Sequence, residues 1–185
     1  MTDEDEAYIQ QATQEHLESL EKKRLRVKGE ELDDAEVNPT HGPQLTLPIV
    51  ACPSNDQAGL LAITMLQQIL DPAEWNLEVI SPGLLTGEIV ELVTATQPAI
   101  FCIAALPPDG LLHASRLCGM IRAKAPHTKI IVGRWGLTED FDENRDQLKE
   151  AGADMIAITL VETQERLSDW RPNLLPADTP AESKS

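Results

Sequence analysis

QPAIFCIAALPPDG, residues 97–110, decides how the rest of the chain must be arranged. The run from Ala99 to Leu106 is apolar throughout, too short for a helix of ordinary length, and closed by two prolines, an aspartate and a glycine. A strand wetted on one face alternates polar and apolar residues, whereas one covered on both faces does not have to. The stretch therefore reads as a strand buried on both sides, and the flanking chain must supply two layers of cover.

Upstream, Leu47 to Cys52 (LPIVAC) reads as a first buried strand, and the loop Pro53, Ser54, Asn55, Asp56 has side chains able to cap a following helix. From Gln57 to Leu70, residues such as Leu60, Ile63, Leu66 and Leu70 fill a wide helical face that ends at Asp71-Pro72. Leu77 to Ile80 forms a second strand, and after Ser81-Pro82-Gly83 comes an amphipathic helix carrying Leu84, Leu85, Ile89, Val90 and Val93. Downstream, a helix over Leu111 to Ala125 stops at Pro126, and Lys129 to Val132 is a fourth strand, followed at once by Gly133-Arg134-Trp135-Gly136. A more polar helix over Asp142 to Ala151, a strand over Met155 to Thr159 and a helix over Val161 to Trp170 complete the pattern.

Short apolar strands alternating with helices are the signature of a parallel sheet with helices on both faces. Right-handed crossovers leave few ways to stack such units. The expected fold is α/β: a flavodoxin-like, three-layer, doubly wound five-stranded parallel sheet in the order 2-1-3-4-5, preceded by an N-terminal helix. Residues 1–44 are polar and charged, with a basic half-helix (Lys22, Lys23, Arg24, Arg26, Lys28) and an acidic block, EELDDAE, at Glu30 to Glu36. They read as a thinly apolar helix and a solvated linker, residues 45–171 as the flavodoxin-like domain, and the proline-rich residues 172–185 as a disordered tail.

A formal net charge of -16 repels phosphate and anionic lipid surfaces, so nucleic acid is excluded as a partner. No apolar stretch approaches the roughly 20 residues that span a bilayer, which argues against direct membrane insertion. The acidic start is unlike a secretory leader, and three cysteines, at least Cys102 and Cys118 in buried-looking segments, suit packing thiols in a reducing compartment. The expected location is the cytoplasm.

In the expected strand order the chain reverses between strands 1 and 3, and ligands bind at the carboxyl ends of the strands there. Three loops meet at that point, and they supply the candidate ligand-binding residues. Ser54, Asn55, Asp56 and Gln57 stand at a helix N-terminus, where free N–H groups suit an anion or polar head, although simple capping accounts for them as well. Pro107, Pro108 and Gly110 form the second wall. In the third loop Gly133 allows close backbone approach, Arg134 could hold a carboxylate or phosphate, and Trp135 could stack on a planar group. The plainer alternative pairs Arg134 with a nearby acid and uses Trp135 to cover the sheet.

Catalytic and metal patterns are poor. His113 has no evident partner, Ser54 lies in no nucleophile elbow, the histidines and cysteines lack metal-ligand spacing, and no Walker or dinucleotide loop follows the first strand. No catalytic or metal residue is assigned. A phosphoacceptor receiver would need acids after strand 1 and at the end of strand 3 and a lysine after strand 5, where this chain has Cys52-Pro53, Leu106-Pro107 and Thr159-Leu160.

Across about Leu47 to Thr159 the chain resembles the cobalamin-binding domain family. In that family the first loop carries D-x-H-x-x-G, with the His an axial ligand of cobalt, strand 3 ends in S-x-L, and strand 4 ends in Gly-Gly. Here the matching residues are Ser54, Asp56 and Gly59, then Ala104 and Leu106, then Gly133 and Arg134. Cobalamin is thus the cofactor that the resemblance implies, without a protein axial His. The blocks CPSNDQAGLLAITMLQQIL from Cys52, CIAALPPDGLLHASRLCGMIRA from Cys102 and KIIVGRWG from Lys129 are similar to the cobalamin-domain-like cytosolic segment of some AI-2E-family permeases. That likeness implies a regulatory appendage, tethered at the membrane through a partner or parent chain.

The function expected is a non-enzymatic regulatory or small-ligand-sensing domain with a degenerate cobalamin-type crevice, its partner a small molecule or a protein such as a membrane permease. Alternatives are a true corrinoid carrier and a small hydrolase or transferase using His113 or Asp109. The sequence leaves the ligand and the oligomeric state open.

Overall fold

The computed structural model of the chain describes residues 45–54, 57–81 and 83–175. The expected N-terminal helix and linker, Asn55, Asp56, and the tail from residue 176 lie outside the described residues. Five strands, β1 (Leu47–Pro53), β2 (Trp75–Val79), β3 (Ile100–Ala104), β4 (Lys129–Gly133) and β5 (Met155–Ala157), form one parallel sheet in the order 2-1-3-4-5, as the sequence predicts. Between and after them run α1 (Gln57–Ile69), α2 (Thr86–Thr96), α3 (Leu111–Lys124), α4 (Phe141–Glu150) and α5 (Leu160–Leu174).

All five residues of β3 are buried, which accounts for its unbroken apolar run. Successive residues point to opposite faces. Phe101 and Ile103 enter one core with Val50, Ile130 and Val132, covered by Ile89, Val90 and Val93 of α2 and by Leu117 and Ile121 of α3. Ile100 and Cys102 enter the other with Ile49, Ala51 and Ile131, covered by Ile63 and Leu66 of α1 and Leu167 of α5. Each fully buried branched or aromatic side chain contributes about 1.5–3 kcal/mol relative to exposure. Two apolar faces thus hold the central strand.

The element ends differ from expectation in two instructive places. β2 begins at Trp75 because Trp75 is itself a core residue, paired in register with Leu47. α5 continues through Pro172 to Leu174, so the tail does not start at 172. Pro172 lies in the last turn, where one missing N–H costs a single hydrogen bond, while Leu174 and Leu175 pack against the core and Leu175 N donates to Arg171 O at 3.1 Å.

Cys52, Cys102 and Cys118 are free and buried. Burial raises all three thiols above their ordinary range, Cys102 and Cys118 to about 12. They pack as small neutral groups.

Candidate functional site

Strand register builds the site. Pro53 pairs with Ala104, and Ala104 with Gly133, so β1, β3 and β4 end side by side. The ladder then extends one step into the loops: Ser54 N donates to Ala104 O at 2.8 Å, Ala105 N to Gly133 O at 2.9 Å, and Arg134 N to Ala157 O at 2.8 Å. Ser54, Ala105 and Arg134 are therefore neighbours at the carboxyl edge of the sheet, which is where the sequence places a crevice.

Arg134 dominates this edge. It is 2% exposed, and its Nη1 donates to Ala105 O at 2.8 Å and to Asp109 O at 2.5 Å. The cation thereby ties the Pro107–Gly110 loop onto β4. Its Nε is buried without a partner among the described residues. Burial pushes the guanidinium below its ordinary value, and the Asp109 charge opposes that shift. The anion-binding role expected for Arg134 meets a side chain whose Nη1 is committed to two backbone carbonyls.

Trp135 lies inside rather than at the mouth. It is 7% exposed, and its Nε1 donates to Thr163 Oγ1 at 2.9 Å, a fully buried hydroxyl that donates in turn to Thr159 O at 3.1 Å. Its ring covers Gly133 so closely that a Cβ at that position would overlap the indole. The indole offered by the sequence as a stacking platform is packed into the core here. Gly133 serves its own tryptophan.

The remaining candidates divide between wall and rim. Ser54 is buried, and its Oγ donates to Gly110 O at 3.2 Å. Gly110 has φ +81, and a Cβ there would sit 2.9 Å from Ser54 Oγ and 3.3 Å from Ala105 Cα. Only glycine meets both demands at the residue that caps α3. Pro107 and Pro108 are joined by a cis peptide, Pro107 half-buried and Pro108 exposed. Gln57, the first residue of α1, is exposed. The loops do converge, with their inner polar atoms bonded to one another.

Sequence reasoning missed Thr163, whose hydroxyl fixes the Trp135 indole from 28 residues away. It also missed Glu162, whose Oε2 accepts from Ile158 N at 2.9 Å while Thr159 Oγ1 accepts from Glu162 N at 3.0 Å. The T-x-x-E spacing of Thr159 and Glu162 is a capping-box signal that could have found it. Among the described residues no three His, Cys, Asp or Glu side chains are grouped to hold a metal, and no helix is long and apolar enough to cross a membrane.

No protein-family model and no curated protein matches the sequence. Solved structures do match in fold. A cobalamin-binding protein from Desulfitobacterium hafniense DCB-2 aligns at 14% identity and TM-score 0.50, over 69% of this chain and 59% of that one. The monomethylamine corrinoid protein of Methanosarcina barkeri aligns at 13% identity and TM-score 0.53, over 66% and 57%. The chain thus spans less than two thirds of each. A CheY-like protein from Pseudomonas aeruginosa PAO1 aligns at 17% identity and TM-score 0.50, over 72% of this chain and 98% of its own. These likenesses establish a flavodoxin-like fold of the kind found in cobalamin-binding proteins and receiver domains.

Proposed function

We propose that this is a non-enzymatic regulatory or ligand-sensing domain, in which a crevice of cobalamin-binding type has been rebuilt around the chain's own side chains. One observation carries the reading: Arg134, standing where the resembled family has a second glycine, is folded into the edge and bonded to the carbonyls of Ala105 and Asp109. Beside it the Trp135 indole occupies the space over Gly133. Cobalamin does not fit residues disposed in this way. What the edge offers instead is a loop, Pro107 to Gly110, held by the buried Arg134 cation at Asp109 O and by Ser54 Oγ at Gly110 O. A ligand or partner that bonds the guanidinium or the loop carbonyls would release that loop, which is a mechanism for sensing.

The partner that the resemblance suggests is a membrane permease carrying, or carried with, this domain. Placement in the cytoplasm beside such a permease is part of the same proposal. Hydroxocobalamin added to the purified protein tests the site directly. The expected result is an unchanged corrinoid spectrum and no retained colour after dialysis. Tight retention with a spectral shift would replace this reading with that of a corrinoid carrier.

A further inference from the structure

The carboxyl edge of the sheet holds a charge that no acid balances among the described residues. Arg134 is 2% exposed, yet it takes part in no ion pair there, whereas Arg122, Arg145, Arg166 and Arg171 each meet a carboxylate. Its hydrogen bonds to described residues all come from Nη1, and both acceptors, Ala105 O and Asp109 O, are neutral carbonyls. Nε is buried and unbonded among those residues. A buried cation without a counter-ion is costly, and so is a buried donor left without an acceptor.

The open part of the side chain has a definite shape. Nε–H and one N–H of Nη2 lie parallel along one side of the guanidinium plane, the side on which a carboxylate or phosphate is gripped through two oxygens at once. Nη1 lies off that side, so its two carbonyl bonds leave it open. The neighbouring backbone has the same sign. Asp109, whose carbonyl Nη1 holds, directly precedes Gly110, the N-cap of α3. No side-chain cap meets the first-turn N–H groups of this 14-residue helix, which carry the positive end of its dipole. The charge opposing them is the carboxylate of Asp109, an exposed residue.

We propose that this edge is a receptor for a small oxyanion, a carboxylate or phosphate group, gripped by Nε and Nη2 of Arg134 beside the N-terminus of α3. This ligand class rests on the sensing role proposed above and deepens it. Because Arg134 is enclosed, the Pro107–Gly110 loop moves aside to admit the anion, so binding and loop release are coupled.

Titration of the isotope-labelled full-length chain with inorganic phosphate, and separately with acetate, at constant ionic strength set by chloride, tests this. Saturable shifts are expected at the amides of residues 105–113 and at the Arg134 Nε–H, whose exchange with water should slow. Saturation by one anion and not the other supports the proposal and identifies the group. Arg134→Lys keeps the charge without the paired donors and should bind about tenfold more weakly. Asp109→Asn leaves the loop carbonyl in place, removes the opposing charge and should bind more tightly, which keeps the test decisive if Arg134→Lys does not fold. Shifts that chloride reproduces, saturation by neither anion, or unchanged or weaker binding in Asp109→Asn overturns the proposal. So does an Nε–H already protected in anion-free buffer and exposed in Asp56→Asn, since the chain would then supply its own carboxylate. Failure here with no corrinoid retained leaves the sensing role without an anionic ligand, whereas retained corrinoid removes the sensing role itself.

Discussion

Arg134 and Ala105 form a reciprocal clasp between adjacent strand ends: the Arg134 guanidinium donates to Ala105 O at 2.8 Å, while Ala105 N donates to the carbonyl of Gly133, the residue before Arg134. Removing the guanidinium leaves the buried Ala105 carbonyl unpaired. Arg134→Ala should therefore lose about 1–3 kcal/mol in urea unfolding and loosen the Pro107–Gly110 loop, read as faster amide exchange at Asp109 and Gly110. Arg134→Lys should recover only part of that loss, because a compact ammonium does not reproduce the planar, multi-donor fork.

Gly133 and Trp135 should behave as a matched pair. Gly133→Ala forces a methyl into the indole ring and should cost about 1–3 kcal/mol. Adding Trp135→Leu to that variant should recover part of the loss, giving a non-additive double-mutant cycle by chemical denaturation. Additive costs would mean that the ring does not rest on Gly133.

Gly110→Ala meets two penalties, positive φ and Ser54 Oγ at 2.9 Å. The expected loss is roughly 1–2 kcal/mol from the backbone alone. Ser54→Ala removes the hydrogen bond to Gly110 O and should cost about 1 kcal/mol. In the Ser54→Ala background the Gly110→Ala penalty should shrink but not vanish, because the backbone strain persists. Thermal unfolding of the four proteins checks this.

Stability should fall at alkaline pH. The thiols of Cys52, Cys102 and Cys118 are raised by burial in the folded state, Cys102 and Cys118 to about 12, against an ordinary value of 9.0. Below that ordinary value the folded and unfolded chains hold the same thiol protons. Above it the unfolded chain loses them first, so stability declines between about pH 9 and 12 by up to about 1.4 kcal/mol per pH unit for each thiol. Cys102→Ala should make the decline shallower by about one third in pH-dependent urea unfolding. Disulfide reagents should leave all three unlabelled in the folded protein.

Much of this was legible in the chain. The unbroken apolar run of β3 and the alternation of five strands with helices were enough for the sheet order, because two-sided burial and crossover handedness leave few alternatives. Which loops meet at the carboxyl edge of the sheet followed from the topology. How their side chains fill that edge did not follow, since a sequence lists Arg134 and Trp135 without saying which way either side chain turns. Trp135 turns inward because Thr163, on a helix 28 residues later, supplies its acceptor, and Gly133 leaves room for the ring. The end of α5 was misjudged for a related reason. Pro172 reads as a stop in isolation, but in a last turn anchored by Leu174 and Leu175 it is tolerated.

Arg122 lies at the opposite end of the sheet from Arg134. Its guanidinium donates to Gly152 O at 2.9 and 3.1 Å, to Pro126 O at 2.7 Å and to Thr128 O at 3.1 Å, and it pairs with Asp154. One side chain thus bolts together the entries to β4 and β5. The sheet is thus clasped by an arginine at each end, Arg122 where the chain enters β4 and β5 and Arg134 where it leaves β3 and β4, and both cations spend their donors on backbone carbonyls of neighbouring segments.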